Sequence, residues 1–146
     1  MIQEIDDYYG VLQYVHKSID DMLHDLTADQ WVDTRGEFNN IASIVDHITA
    51  VETGFMKILA GESIEKMPAE SFKKSEWNIL HLKTNWNEAL LFSKEVLAGL
   101  TEKNLEEIVD LGLGMDMSKR QLIIFTISHL THHRGQIPLI KKMISK

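Results

Sequence analysis

Hydrophobic residues recur every three or four positions through most of the chain, and the alternation typical of β-strands is nearly absent. This spacing matches the 3.6 residues per turn of an α-helix and predicts helices that each bury one face. We predict four long helices, at about 2–26, 40–60, 75–100 and 118–144. The pattern therefore predicts an all-α protein folded as a four-helix bundle.

Polar residues and glycines mark the ends of these helices. Asn40 is suited to cap the second helix, and Gly61 lies just beyond its predicted end. Ser118 followed three residues later by Gln121 matches a capping box at the start of the fourth helix. Pro138 lacks the backbone N–H that a continuous helix requires, so we expect a kink shortly after residue 134.

The connecting segments differ in character. Residues 27–39 are predicted to form a loop with a short turn anchored by Trp31, and residues 62–74 a polar loop that contains Pro68. Residues 101–117 are predicted to form a brief hairpin or a helical turn. In the third helix we expect the inward residues to be Trp77, Leu80, Thr84, Ala89 or Leu90, Val96 and Leu97.

Length and composition narrow the class of protein. A chain of 146 residues is expected to form a single domain spanning 1–146. Its net charge of −7 argues against nucleic-acid binding, which needs clustered basic residues. No apolar run approaches the ~18 residues of a membrane span, and no signal peptide is evident, so we expect a cytoplasmic protein. The chain has no cysteine, so any thiol used in its chemistry must come from outside.

Histidines provide the most specific chemical signal. His129 and His133 are four residues apart in a predicted helix, which puts them on one face, one turn apart. Neutral imidazole is the commonest side-chain metal ligand. His47, in the second predicted helix, is a candidate third ligand. Three histidines with an open fourth position are typical of a catalytic metal site.

These histidines also have simpler interpretations. The pair at 129 and 133 could be a packed or solvated face, and His47 alone could be an ordinary core histidine. His132 is interpreted as a neighbouring or exposed residue, and His16, His24 and His81 as surface residues. Several other metal motifs fail: there is no glutamate directly after His129, as a zincin requires, and no Glu-x-x-His, as a di-iron bundle requires.

Two segments together resemble a known family. Asp46-His47-Ile48, followed far downstream by the run from His129 to Ile137 (HLTHHRGQI), is similar to the DinB-like, YfiT-like superfamily of metal-dependent four-helix bundles. The resemblance covers essentially the whole chain. It implies a divalent metal, most often zinc or nickel, held by His47, His129 and His133. It also implies that His132 is not a ligand, and homodimers are common in the group, so we expect one here.

The function implied by the resemblance is less specific than the fold. Characterised relatives are transferases or isomerases that use bacillithiol or mycothiol. We therefore expect a small-molecule substrate and interpret the chain as a metal-dependent S-transferase that takes an external low-molecular-weight thiol. The alternatives are a non-catalytic metal-binding protein, a metal-dependent hydrolase that uses bound water, and an interaction module with packed histidines. Gln136, and either Glu52 or Asp46, are candidate hydrogen-bond partners at the site.

Overall fold

Long helices build the body of the protein in the computed structural model, which describes residues 1–34, 38–63, 70–112 and 114–145. They are α1 (Gln3–Leu23), α3 (Ile41–Leu59), α4 (Ile79–Ala98) and α6 (Lys119–Arg134), with α7 (Gln136–Ile144) continuing α6. Shorter elements lie in the connections: α2 (Ala28–Val32), a 3₁₀ turn (Glu70–Lys73), α5 (Glu102–Leu105), and the strands β1 (Ile108–Asp110) and β2 (Asp116–Ser118). The prediction of an all-α four-helix bundle is confirmed.

Contacts between α1 and α6 show that these two helices run in the same direction. Near their starts, Arg120 donates from Nε to Glu4 at 2.6 Å. Near their ends, Arg134 donates from Nε to the hydroxyl of Ser18 at 2.6 Å. Both pairs are separated by 116 residues along the chain, so the two helices keep one register over this length.

The other two long helices run the opposite way. In α3 and α6, His47 lies beside His129, whereas Phe55 lies beside Phe125, so residue numbers rise in one helix as they fall in the other. In α4, the indole N–H of Trp86 donates to Asp20 near the end of α1, so α4 begins where α1 ends. The order along the chain is thus up, down, down, up. The segment between Leu59 and Ile79, called the return segment below, therefore joins opposite ends of the bundle.

That return segment is attached to α3 where it is described. The hydroxyl of Ser71 donates to the carboxylate of Asp46 at 2.6 Å, and the Lys74 ammonium pairs with the same carboxylate at 3.0 Å. The 3₁₀ turn therefore lies against the first half of α3, beside His47. The rest of the predicted polar loop, including Pro68, falls at residues 64–69, outside the described residues.

The predicted helix ends are largely confirmed. The Asn40 side chain accepts from the backbone N–H of Ser43, and Ser118 forms a capping box with Gln121. The predicted break in the fourth helix occurs at Gly135, three residues before Pro138, where α6 gives way to α7. The 101–117 connector contains both predicted alternatives, a helical turn (α5) and an antiparallel hairpin that pairs Val109 with Met117. Trp31 is confirmed as an anchor, with 1% of its surface exposed.

The inward face predicted for α4 was partly wrong. Leu80 is 76% exposed and Thr84 is also exposed, whereas Ala89 and Leu97 are buried as predicted. The buried residues are Leu82, Trp86, Ala89, Ser93 and Leu97. The stripe was misassigned because it includes a serine, which looks like a surface residue, and because the helix begins at Ile79 after the Asn78 cap rather than at residue 75. In α6, the aromatic side chain of Phe125 is also partly exposed, at 39%.

Within the described residues, no helix is both long enough and apolar enough to cross a membrane.

Candidate metal centre

Three histidines from facing helices meet at one point in the bundle. His47 is carried by the first half of α3, and His129 and His133 by the last turns of α6, just before the break at Gly135. The Nε2 atom of His129 lies 3.1 Å from Nε2 of His47 and 3.2 Å from Nε2 of His133. The structure therefore brings the three predicted ligands together. That they bind a metal stays a prediction.

The spacing of these nitrogens fits a single bound ion. In a tetrahedral zinc site, Zn–N bonds of 2.0–2.1 Å put neighbouring nitrogens about 3.4 Å apart. The ligand atoms of the three histidines all lie within 4.8 Å of one another. Hydrogen bonds among the three nitrogens alone satisfy them poorly, because Nε2 of His129 faces two other nitrogens and carries at most one proton to share. A cation would satisfy all three lone pairs at once.

The tautomer of one ligand is set by a glutamine. Nδ1 of His133 lies 2.8 Å from Oε1 of Gln136. An amide oxygen only accepts hydrogen bonds, so Nδ1 of His133 carries the proton and Nε2 keeps its lone pair. Gln136 thus takes the position expected of a partner that orients a metal-binding imidazole. The Nδ1 atoms of His47 and His129 are buried and have no hydrogen-bond partner among the described residues.

The electrostatic environment keeps these imidazoles neutral. The pKa of His129 is lowered to about 4, mainly by burial, with the neighbouring His133 and His47 contributing to the shift. Burial also lowers the pKa of His47, with His133 adding to the effect, and it lowers the pKa of His133 as well. Neutral imidazole is the form that ligates metal. At neutral pH the cluster therefore offers three lone pairs without first having to lose protons.

Three residues next to the cluster, Phe72, His132 and Asp46, make different contacts. The Phe72 ring from the 3₁₀ turn lies 4.8 Å from the ring of His47 and covers one side of the site. His132 is exposed, with its ring 5.0 Å from that of His133. Asp46 bonds Ser71 and Lys74, so its carboxylate holds the return segment rather than a ligand histidine.

Glu52 lies elsewhere in the core. Its two carboxylate oxygens lie 2.8 and 3.1 Å from Nε2 of His16, and the hydroxyl of Ser93 donates to one of them at 2.8 Å. Glu52 is fully buried and His16 is 2% exposed, so the prediction of His16 as a surface residue was wrong. The imidazole of His16 also stacks on Trp86, with ring centroids 3.8 Å apart. This buried cluster links α1, α3 and α4 through their side chains.

The cluster of His16, Glu52 and Ser93 was missed in the sequence, although one signal for part of it was present. His16 follows Val15 and falls on the same stripe as Leu12, Ile19 and Leu23, which are all buried. A histidine at such a position is on the core face. For Ser93 and Phe72, no motif in the sequence indicates their contacts.

A groove with a volume of about 620 Å³ runs along α3 and α4. On α3 it is lined by small residues that include Ala50 and Gly54, and it begins at Asp46, next to His47 in the chain. The described residues that line it come from α3 and α4, whereas the histidine cluster spans α3 and α6. The groove and the cluster are therefore neighbouring but separate features.

Fold and site together define a class: a helical bundle in which three histidines of facing helices converge on one point. The chain belongs to the DinB family, whose family model matches residues 1–142. This family is metal-dependent in general, and the histidine cluster of this chain could hold a metal ion.

The fold of this chain is shared with solved structures. A conserved protein from Enterococcus faecalis superposes with a TM-score of 0.81 at 12% sequence identity, covering 100% of both chains. A DinB-like protein from Bacillus subtilis superposes with a TM-score of 0.71 at 18% identity, covering 94% of this chain and 91% of its own. At these identities the likeness shows the fold alone. No protein with curated annotation matches the chain in sequence.

Proposed function

We propose that the protein binds one divalent cation, zinc or nickel, through His47, His129 and His133, and that it uses this centre to transfer an external low-molecular-weight thiol to an electrophile. The observation that carries the proposal is the convergence of three Nε2 atoms, with 3.1 and 3.2 Å between neighbours, in a chain without cysteine. Three protein ligands leave the fourth position of a tetrahedral site for a substrate, whereas a structural site is closed by four.

Each residue of the site has a definable part in this function. The three histidines present neutral nitrogens, because burial holds their pKa values below the ordinary range. Gln136 fixes the tautomer and ring orientation of His133. Phe72 packs on His47 and shields that side from water. A bound divalent cation would supply Lewis-acid chemistry, lowering the pKa of a coordinated thiol or water so that it is a nucleophile at neutral pH.

The charge of the site would activate a bound thiol. Neutral imidazoles add no negative charge, so the full charge of a bound cation would act on whatever occupies the fourth position. The chain has no thiol of its own, so a sulfur nucleophile must enter from solution. A hydrolase would use the same centre with water alone, and the dependence of turnover on added thiol separates the two reactions.

The first experiment measures metal content per chain for the wild type, His133→Ala and His132→Ala. His132 neighbours His133 in sequence but is exposed, so its variant is a matched control. We expect near one equivalent in the wild type and in His132→Ala, and a large loss in His133→Ala. Absence of metal from the wild type after incubation with zinc or nickel would overturn the proposal.

The second experiment tests the transfer reaction. Metal-loaded protein is incubated with a panel of low-molecular-weight thiols and 1-chloro-2,4-dinitrobenzene, and thioether formation is followed by absorbance. We expect turnover that requires both the thiol and an intact His133. A fully loaded protein that gives no thiol-dependent turnover over the panel would leave metal binding in place and refute the transferase activity.

A further inference from the structure

The exposed phenylalanines of the chain both lie beside the histidine cluster. Phe72, in the 3₁₀ turn, and Phe125, in α6, are each 39% exposed. The other phenylalanines are better covered, since Phe55 is buried and Phe38 and Phe92 are half-buried. Exposed apolar side chains that are scattered singly need no explanation, whereas those that gather at one place often mark a binding site.

Phe72 is held in place next to a ligand histidine. Its ring centroid lies 4.8 Å from that of His47. On one side of it in the chain, the hydroxyl of Ser71 donates to the carboxylate of Asp46 at 2.6 Å, and on the other the ammonium of Lys74 pairs with the same carboxylate at 3.0 Å. Asp46 directly precedes His47. The ring is therefore fixed against His47 from both sides while part of its surface stays open to solvent.

Phe125 lies at the same junction of helices as the cluster. It precedes His129 by four residues in α6, so the two side chains share a face and are about 6 Å apart along the helix axis. Its ring packs on that of Phe55 in α3, with centroids 5.7 Å apart. His47 and His129 meet across these same two helices. The exposed part of Phe125 therefore lies about one turn from the cluster along the α3–α6 junction.

Two cationic side chains close to the cluster are already bonded within the chain. Lys74 pairs with Asp46, and Arg134 donates to the hydroxyl of Ser18 at 2.6 Å. The residue that bonds Nδ1 of His133 is Gln136, which is neutral. Apolar contact, more than charge pairing, is therefore what these surroundings offer a substrate. Small-molecule sites are generally built in this way, with aromatic and apolar side chains around a few polar groups.

We propose that Phe72 and Phe125 determine the substrate class of the three-histidine site: the substrate carries an aromatic or similarly flat apolar group that packs against these rings while its reacting atom faces the cluster. Ring-to-ring contact adds a preferred geometry to simple burial, so aromatic groups are favoured over aliphatic ones. The inference rests on the proposed function, because it assumes that a substrate reaches an ion held by the histidines. In the proposed transfer, the apolar group belongs to the electrophile.

Binding of two hydroxamates to zinc-loaded protein tests the inference without turnover. Acetohydroxamate and benzohydroxamate offer zinc the same pair of oxygens and differ in carrying a methyl or a phenyl group. Calorimetry gives both dissociation constants for the wild type, Phe72→Ala, Phe125→Ala and Tyr14→Ala, after the zinc content of each has been measured. The preference for benzohydroxamate should fall about three- to tenfold in each phenylalanine variant. Tyr14→Ala should keep it, because Tyr14 is an aromatic residue of α1 that is 69% exposed and is not part of the cluster.

The transfer assay carries the same comparison to substrates. The reacting carbon of 1-chloro-2,4-dinitrobenzene is part of a ring, whereas iodoacetamide has no ring. In both reactions the thiol sulfur forms a bond to carbon and the halide leaves. The two phenylalanine variants should lower kcat/KM for the ring compound by about threefold or more beyond any loss for iodoacetamide. Equal losses for the two electrophiles would contradict the assignment.

The outcomes separate this inference from the proposed function. A wild type that takes up no zinc overturns the proposed function and this inference with it. A preference for benzohydroxamate that is unchanged in every zinc-loaded phenylalanine variant overturns this inference alone. Phe125→Ala keeps the test decisive if Phe72→Ala loses zinc, because the ring of Phe125 packs on Phe55 and not on a ligand histidine. A protein that shows the predicted preference but transfers no thiol refutes the proposed reaction and supports the assignment of the two rings.

Discussion

Replacing His16 with alanine should destabilise the protein severely, because it leaves a buried carboxylate without its main partner. Glu52 is fully buried and bonds His16 at 2.8 and 3.1 Å, and after the substitution it would retain the hydroxyl of Ser93. Breaking a buried pair in this way costs about 3–5 kcal/mol. Loss of the stacking on Trp86 adds about 0.5–1.5 kcal/mol. At about 2–4 °C per kcal/mol for a chain of this length, we expect Tm to fall by about 7–25 °C.

Urea denaturation of the metal-free protein at pH 7, followed by circular dichroism, measures the loss in free energy of unfolding. His24→Ala is the matched control, since His24 is an exposed histidine at the end of the same helix and should change stability by less than about 0.5 kcal/mol. Adding Glu52→Gln to His16→Ala removes the unpaired charge, so the double variant should be less destabilised than the sum of the two single variants. A cost below about 1 kcal/mol for His16→Ala, or strict additivity, would refute this account of the cluster.

Three further outcomes follow from the structure. First, the metal-free protein should lose stability as the pH falls from about 6.5 towards 4. The unfolded chain protonates His129 near its ordinary pKa of 6.5, whereas the folded chain does so only near 4. Urea denaturation at pH 7.5, 6.0 and 5.0 measures how stability changes with pH, and His129→Gln should reduce this dependence. Second, Gln136→Ala should weaken metal binding about 10- to 100-fold in a chelator competition, because the tautomer of His133 is no longer fixed; unchanged affinity would contradict that role. Third, Trp31→Ala should cost about 3–5 kcal/mol in urea denaturation, because the residue is 1% exposed and anchors α2 in the hydrophobic core. A cost near zero would show that the α1–α3 connection is held by other contacts.

Local patterns were sufficient to predict the features that depend on a single helix. The i, i+4 spacing of His129 and His133 fixes their common face wherever α6 lies, and the caps at Asn40 and Ser118 act within one turn of their helices. The break near Pro138 follows from its missing N–H. His47 was only a candidate third ligand from its place in a predicted helix, and the resemblance added what spacing on one helix cannot supply, the identity of the facing residue.

Features that depend on contacts between helices were harder to predict. Ser93 is a buried residue of α4 because Glu52, 41 residues earlier, accepts a hydrogen bond from its hydroxyl. A serine in a sequence gives no sign of such a partner. Ser93 was therefore left out of the predicted inward face of α4, and that face was placed towards Leu80 instead. The same holds for His16, whose burial depends on a carboxylate 36 residues away.

His16 and the three-histidine cluster show that the partner of an imidazole, more than its burial, decides what it can do. Nε2 of His16 faces both oxygens of Glu52, so this nitrogen is engaged in holding α1 to α3. Nε2 of His129 faces two other imidazole nitrogens, and its Nδ1 has no partner among the described residues. The three-histidine cluster, unlike His16, therefore presents a set of nitrogens that could hold a metal ion.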